Sequence, residues 1–210
     1  GRWSARVDGE GVDRLTDLIR CCAVVCFEPG SHALIAGAAE ERRRFLDWGV
    51  FHVEHAFLGA WQRYRRALKQ RNALLRAAAM PSDALLTPWE HEMDQCARDI
   101  ESVRRLYLGK LESELATLCG ILLPELGAFT LNYRCGWDAS RSLGEALLAN
   151  RERDRSRGHT TQGAHRADWR PVFEHAPQRE HFSRGQVKLC ALACVLAQAR
   201  VFAAGKGEWP

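Results

Sequence analysis

The chain has 210 residues, 46% hydrophobic and 27% charged, the composition of a globular protein with one sizeable core or two small ones and not that of a disordered tail. Thirty Lys and Arg against twenty-six Asp and Glu leave a formal charge of +4, so the overall balance identifies no polyanionic partner and any such contact must come from a local patch. The longest unbroken apolar run, Leu189 to Ala197, is about half of the ~18 residues that suggest a bilayer span, which argues against a membrane protein.

Among the eight cysteines, Cys21 and Cys22 are adjacent, and Cys190 and Cys194 stand one helical turn apart. Helical neighbours at that spacing have Cβ atoms ~5–6 Å apart, whereas a disulfide wants ~3.8 Å, so reduced thiols are expected. No charged-then-apolar leader opens the chain, which with the thiols points to a cytoplasmic protein. The start at Gly1-Arg2-Trp3, without methionine, suggests a piece of something longer.

In chain order, Asp8-Gly9 is a turn signal beside short alternating residues, Asp13 to Arg20 has helical spacing, and Cys22 to Phe27 is a strand-like run closed by Pro29-Gly30. From about Glu54 to Ala79 the pattern predicts a long helix of ~39 Å with the stripe Phe57, Trp61, Tyr64, Leu68 and Leu75, interrupted at Arg71. Pro88 marks a second helix start, and Trp89 to about Leu118 carries Met93, Ala97, Ile100, Val103, Tyr107, Leu111 and Leu118 on one face. Two such helices joined by a short breaker make an antiparallel hairpin. Phe129 to Tyr133 is strand-like, and a helix is expected from about Ser140 to Arg157 with Leu143, Leu147 and Leu148 on one face. Residues 158–182 look like strands and loops, and Arg184 to Ala203 is apolar nearly all round, hence a buried helix. The fold class is α/β with a helical insertion.

Ser183-Arg184-Gly185-Gln186 opens that last helix. A serine with glutamine three residues on is a capping box. The same features make an anion site, because free N–H groups and the helix dipole favour negative charge and a glycine lets it approach. Upstream, Thr160 to Trp169 is dense in polar and glycine residues, either an exposed loop or a strand end delivering groups to a site.

These segments, with the helical insertion, resemble the RecF family of ABC-type ATPases, related to the SMC proteins. The matching stretches are Arg42 to Glu54, Leu68 to Arg76, Gly163-Ala-His-Arg-Ala-Asp168 and Phe182-Ser-Arg-Gly-Gln-Val-Lys-Leu189, in order over nearly the whole chain. The resemblance implies part of an ABC head, residues 1–45 and 135–210, interrupted by an antiparallel helical arm, residues 46–134. It makes Ser183, Arg184, Gly185 and Gln186 the signature that contacts ATP held by the opposite protomer, and puts His165, Arg166 and Asp168 near the nucleotide. The implied parent is a slow ATPase that uses ATP and Mg, forms an ATP-dependent homodimer, clamps duplex DNA near single-strand gaps, and works with RecR and RecO to load RecA. The phosphate loop Gly-x-x-x-x-Gly-Lys-Ser/Thr and the acidic strand for magnesium are absent from the sequence, so this chain alone is expected to be inactive. It departs from the family at Ala164, where proline is usual, at Phe182, where leucine is usual, and near Val25, where a magnesium-sensing glutamine is usual.

The first arm helix holds Arg63, Arg65, Arg66, Lys69, Arg71 and Arg76 in a stretch, His55 to Ser82, that has no Asp or Glu. Such a face can neutralise several phosphates of duplex or single-stranded DNA, or remain simply solvated. Trp61 and Tyr64 are able to stack on bases, though their seam spacing favours core packing. His52-Val-Glu-His55 and Cys21-Cys22-x-x-x-Cys26 lack the paired spacings of structural zinc, so no metal is expected. Ser183 lacks a nucleophile elbow, which argues against a hydrolase. The competing reading is a nucleotide-independent adaptor built on a helical hairpin, with Ser183 only a cap.

Overall fold

A computed structural model gives the fold and describes residues 5–7, 9–12, 25–54, 56–77 and 82–206. The Asp8-Gly9 signal is met by an antiparallel hairpin of β1 (Ala5–Val7) and β2 (Glu10–Val12), with Val7 opposite Glu10. The helix expected over Asp13 to Arg20, the Cys21-Cys22 pair and the first part of the Cys22 to Phe27 run lie outside the described residues, and Val25 to Glu28 form no strand. A 3-10 turn, Pro29–His32, leads into α1 (Ala33–Ala36), and α2 (Ala39–Val53) follows.

The expected hairpin of long helices is present as α3 (Ala56–Leu75) and α4 (Asp83–Leu122). α3 ends four residues before Ala79. Phe57, Tyr64, Ala67 and Leu75 are buried along it, and Trp61 and Leu68 pack against the core from its edge. On α4, Met93, Ala97, Ile100, Tyr107, Leu111 and Leu118 are buried as the spacing predicts, with Val103 half-buried.

α4 starts earlier than the sequence suggests, so Pro88 lies inside the helix and not at its start. A proline there forfeits one helical hydrogen bond. Tertiary contacts hold the turn nonetheless: Leu86 and Glu90 are buried either side of it, and Arg151 donates to Thr87 Oγ1 at 2.9 Å and to Glu90. α2 crosses close to α4 at Gly49, where a Cβ would lie 2.1 Å from the Tyr107 hydroxyl.

β3 (Phe129–Arg134) and β4 (Asp168–Phe173) form an antiparallel ribbon with Phe129 opposite Phe173 and Arg134 opposite Asp168. α4 covers one side of it, Glu112 accepting from the Leu131 N–H at 2.7 Å and Glu101 from the Tyr133 hydroxyl at 2.6 Å. The helix expected from Ser140 to Arg157 is two, α5 (Leu143–Ala149) and α6 (Arg151–Arg157). They part at Asn150, whose side chain donates to the Ala146 carbonyl at 2.8 Å and so competes with the helical ladder. Leu143 and Leu147 are buried with Ala146, whereas Leu148 points outward.

The final helix, α7 (Arg184–Lys206), is buried or half-buried from Cys190 to Ala203 except at Leu196, as expected of a core helix. Its small residues Cys190, Ala191, Ala193, Cys194 and Ala197 sit in the core, while Leu189 and Leu196 are exposed. The window Arg184–Gly205 is long and apolar enough to cross a membrane by length and composition, contrary to the reading from unbroken apolar runs, and half of it is buried inside this protein. The described cysteines are free thiols, all but Cys26 buried.

The polar interior is organised by arginines. Arg71, which breaks the apolar stripe in sequence, is fully buried and donates to Asp154 Oδ2 at 2.7 Å, Thr160 Oγ1 at 2.8 Å and Glu90 Oε1 at 3.0 Å. Removing it leaves the fully buried Asp154 carboxylate without a cation and takes from Glu90 one of its two, the other being Arg151. Arg71→Ala is therefore expected to destabilise the protein by about 3–5 kcal/mol in urea unfolding, whereas Arg63→Ala, which breaks an exposed pair with Glu92, should leave the unfolding midpoint nearly unmoved.

Candidate functional site

At the start of α7 the capping box is closed in both directions. The Gln186 N–H donates to Ser183 Oγ at 3.2 Å, and the Ser183 N–H donates to Gln186 Oε1 at 2.8 Å. The Gln186 side-chain amide also donates to Glu125 Oε1 at 2.9 Å, which holds the Glu125 carboxyl below its ordinary range. Phe182 seats this turn on the sheet through an edge-to-face contact with Phe173 at 5.5 Å. Around Gly185 there is open space, the nearest neighbour of a Cβ being Ser183 Oγ at 3.9 Å. Among the described residues the Arg184 and Gly185 amides take no acceptor, and the Ser183 hydroxyl, which accepts in the cap, keeps its proton for donation. The arrangement can bind an oxyanion without dismantling the cap.

The Thr160 to Asp168 segment is held against α3. Gly163, at φ +134°, lets it approach, since a Cβ there would fall 2.3 Å from the Tyr64 hydroxyl. His165 pairs with that hydroxyl through Nδ1 at 2.8 Å and with the Thr160 carbonyl through Nε2 at 3.3 Å. A carbonyl only accepts, so Nε2 carries the proton and Nδ1 accepts from tyrosine. Burial lowers the imidazole to about 4 and pushes the tyrosine hydroxyl up, which keeps both neutral. Next to it, Arg104 donates to the Ala164 carbonyl at 2.9 Å while gripping Asp47 at 2.9 and 3.0 Å. Arg166 is exposed.

Asp168 is buried and bound by Arg42 at 2.7 and 3.2 Å. Burial alone would raise its carboxyl, but the Arg42 bond prevails and the net direction is down. It opens into a cleft of about 560 Å³ whose far end reaches Phe182, beside Ser183. The structure thus brings Asp168 toward the α7 start and turns His165 away into α3. Arg134, Arg170 and Arg179 in the same cleft were not singled out from the sequence; the alternation Asn132, Arg134 and Asp168, Arg170 was the available signal.

Of the arm cations, Arg65, Arg66 and Lys69 are exposed, Arg63 is exposed but paired with Glu92 at 2.8 Å, and Arg76 donates to the Asn72 carbonyl at 3.1 Å. Arg71 must be struck from this surface, because its guanidinium is enclosed and neutralised by Glu90 and Asp154. Trp61 and Tyr64 stack on each other at 5.5 Å, with Arg104 over the Trp61 ring; Tyr64 is in the core, as their spacing favours, and Trp61 is half-buried at its edge. Among the described residues no three His, Cys, Asp or Glu side chains gather as a metal site, and Cys21, Cys22 and His55 lie outside them.

No family model matches the chain. It is 52% identical over 209 residues to the DNA replication and repair protein RecF of Xanthomonas euvesicatoria pv. vesicatoria (strain 85-10), a match covering 99% of this chain and 56% of that protein. The protein of the same name from Stenotrophomonas maltophilia (strain R551-3) is 50% identical over 209 residues, 99% of this chain and 57% of its own length. The one from Stutzerimonas stutzeri (strain A1501) is 39% identical over 206 residues, 98% and 55%. The chain thus spans a little over half the length of these relatives. A solved structure of the recombination mediator protein RecF-ATP in the RecFOR pathway superposes with a TM-score of 0.89 at 20% identity, covering 100% of this chain and 59% of that one. The fold is accordingly that of part of an ABC-type head with a helical arm inserted.

The His165 environment sets a pH dependence. Its folded pKa of about 4 lies below the ordinary 6.5, so its contribution is complete above pH ~6.5 and is lost as pH falls toward 4, where the unfolded chain takes a proton that the folded one refuses. Urea unfolding at pH 7.5 and pH 4 should show the wild type losing on the order of 3 kcal/mol more than His165→Gln over that interval.

Proposed function

We propose that this RecF-like chain supplies the signature half of a composite ATP site in a DNA replication and repair protein. The observation that carries the reading is the open start of α7, with Ser183 presenting a hydroxyl and Arg184 and Gly185 unclaimed amides to an oxyanion while Gln186 closes the cap, in a chain similar from end to end to RecF proteins. Residues 1–45 and 135–210 are assigned to the head, and residues 46–134 to the arm. In the whole protein the γ-phosphate of ATP, bound with Mg by the phosphate loop of one protomer, meets the Ser183 hydroxyl and the Gly185 N–H of the other, with Arg184 beside them. Nothing covalent is asked of these groups; they stabilise phosphate charge and bridge two protomers.

ATP then closes a homodimer around duplex DNA near a single-strand gap, and hydrolysis opens it, in a cytoplasmic cycle of slow turnover that assists RecA loading together with RecR and RecO. Of the arm cations, Arg65, Arg66, Lys69 and Arg76 are offered to DNA, with Arg63 available once it leaves Glu92. Asp168 acts as a positioning group through Arg42, and the neutral His165 holds its loop on α3 without exchanging protons at neutral pH.

Ser183→Arg in the full-length protein tests the reading. Ser183 is exposed, so the fold survives with loss of about 0.5–2 kcal/mol of capping energy. ATP-dependent dimerisation, followed by sedimentation velocity, should disappear. A dimer that still forms with ATP would leave Ser183 as a cap alone and favour the adaptor reading.

A further inference from the structure

The ribbon β3–β4 has one side against α4 and presents the other to the cleft that ends at Phe182. The register puts Arg134 opposite Asp168 and Asn132 opposite Arg170, all on the cleft side by alternation. Asp168 is the buried carboxylate there, and it accepts from Arg42 Nε and Nη2 at 2.7 and 3.2 Å and from Arg170 Nε at 3.1 Å. Arg134 adds a contact at 4.0 Å to an oxygen already bound. From the opposite wall comes Arg179, anchored on the Ala36 carbonyl at 2.5 Å and only 4.0 Å from its exposed neighbour Glu180.

Four guanidiniums therefore face two carboxylates around a concavity of about 560 Å³. Arg134, Arg170 and Arg179 keep 70%, 61% and 52% of their side chains exposed, so their forked donors converge without a protein acceptor sufficient for them. Asp168, already bonded to Arg42 and to Arg170 Nε, accounts for neither Arg134 nor Arg179, nor for the terminal nitrogens of Arg170. Guanidinium forks match phosphate oxygens two at a time, and the volume is that of a ligand pocket and not of a water site.

We propose that this cleft binds phosphate, presented either by the backbone of a nucleic acid strand or by the phosphate chain of a free nucleotide. The site adjoins the α7 start at Phe182 but uses neither the Ser183 hydroxyl nor the amides behind it, and it does not depend on ATP bridging.

The test uses the 210-residue chain with two probes, a fluorescent twelve-residue oligothymidylate and inorganic tripolyphosphate, each titrated across a salt series. The variants are Arg134→Ser/Arg170→Ser, the charge-conserving Arg134→Lys/Arg170→Lys, and Arg65→Glu/Lys69→Glu on the arm. Both cleft residues are exposed, and a thermal melt confirms that the serine variant folds. It should weaken whichever probe binds by about tenfold and reduce the salt slope by roughly one, the lysine variant should recover part of the loss, and the arm variant, whose residues are offered to DNA, should weaken oligothymidylate in addition to the cleft effect while leaving tripolyphosphate binding in place. An effect on oligothymidylate alone identifies the strand backbone as the source, and an effect on both probes, with tripolyphosphate competing, identifies free phosphate chains. Wild-type affinity and slope in the serine variant, binding lost in the arm variant alone, or no binding of either probe by the wild type would overturn the proposal, while the Ser183→Arg result would be unaffected.

Discussion

An enclosed guanidinium has to find a carboxylate, and in this protein the carboxylates it finds are far away in sequence. Arg42 reaches Asp168 across 126 residues, Arg71 reaches Asp154 across 83, and Arg104 reaches Asp47 across 57. Each pair is held by more than one hydrogen bond or shared with a second acceptor, which is the condition under which burial of two charges is tolerable. Together they fix where the Thr160 to Asp168 segment lies on the helical hairpin. An apolar seam alone permits sliding along α3 and α4; a bidentate ion pair does not.

What surrounds the functional surface follows from this fixation. With Asp168 held by Arg42, β4 is set against β3, and the aromatic chain Phe129, Phe173, Phe182 carries that placement to the start of α7. The neutral Tyr64–His165 pair closes the other end of the same segment. The groups that face solvent, Ser183 and the cleft arginines, are thus mounted on a base whose own charges are already spent internally. That division is what leaves the exposed donors available to a ligand.

Much of this was legible from residue spacing. The seams of α3 and α4 show as apolar residues at alternating three and four intervals, and the capping box at Ser183 and Gln186 is a local pattern that needs no tertiary knowledge. Where the reading went astray, a distant partner had decided the matter. Pro88 looks like a helix start because a proline is costly inside one, yet Arg151 and the buried Leu86 retain the turn. Arg71 looks like a solvated cation among others, and only Asp154 and Glu90, from separate helices, make it an interior residue. Asn150 divides a helix that hydrophobic spacing alone joins together. The cleft arginines lie on two strands and a loop whose alignment depends on a register that periodicity does not specify.

The 40 residues of α4 make a rod of about 60 Å, and its base is tied to the start of α7 by the bond from Gln186 to Glu125, three residues beyond the rod's end. A lever of that length converts small rotations into large displacements: turning it by about 5° at the base carries its tip roughly 5 Å. The rod is also pinned along its length, by Arg104 to Asp47 and by Glu112 to the Leu131 N–H, so it moves together with α2 and the ribbon and not by itself. Whatever touches the far end of the hairpin therefore reaches the turn that holds Ser183 through this joined body and not through the Glu125–Gln186 bond alone.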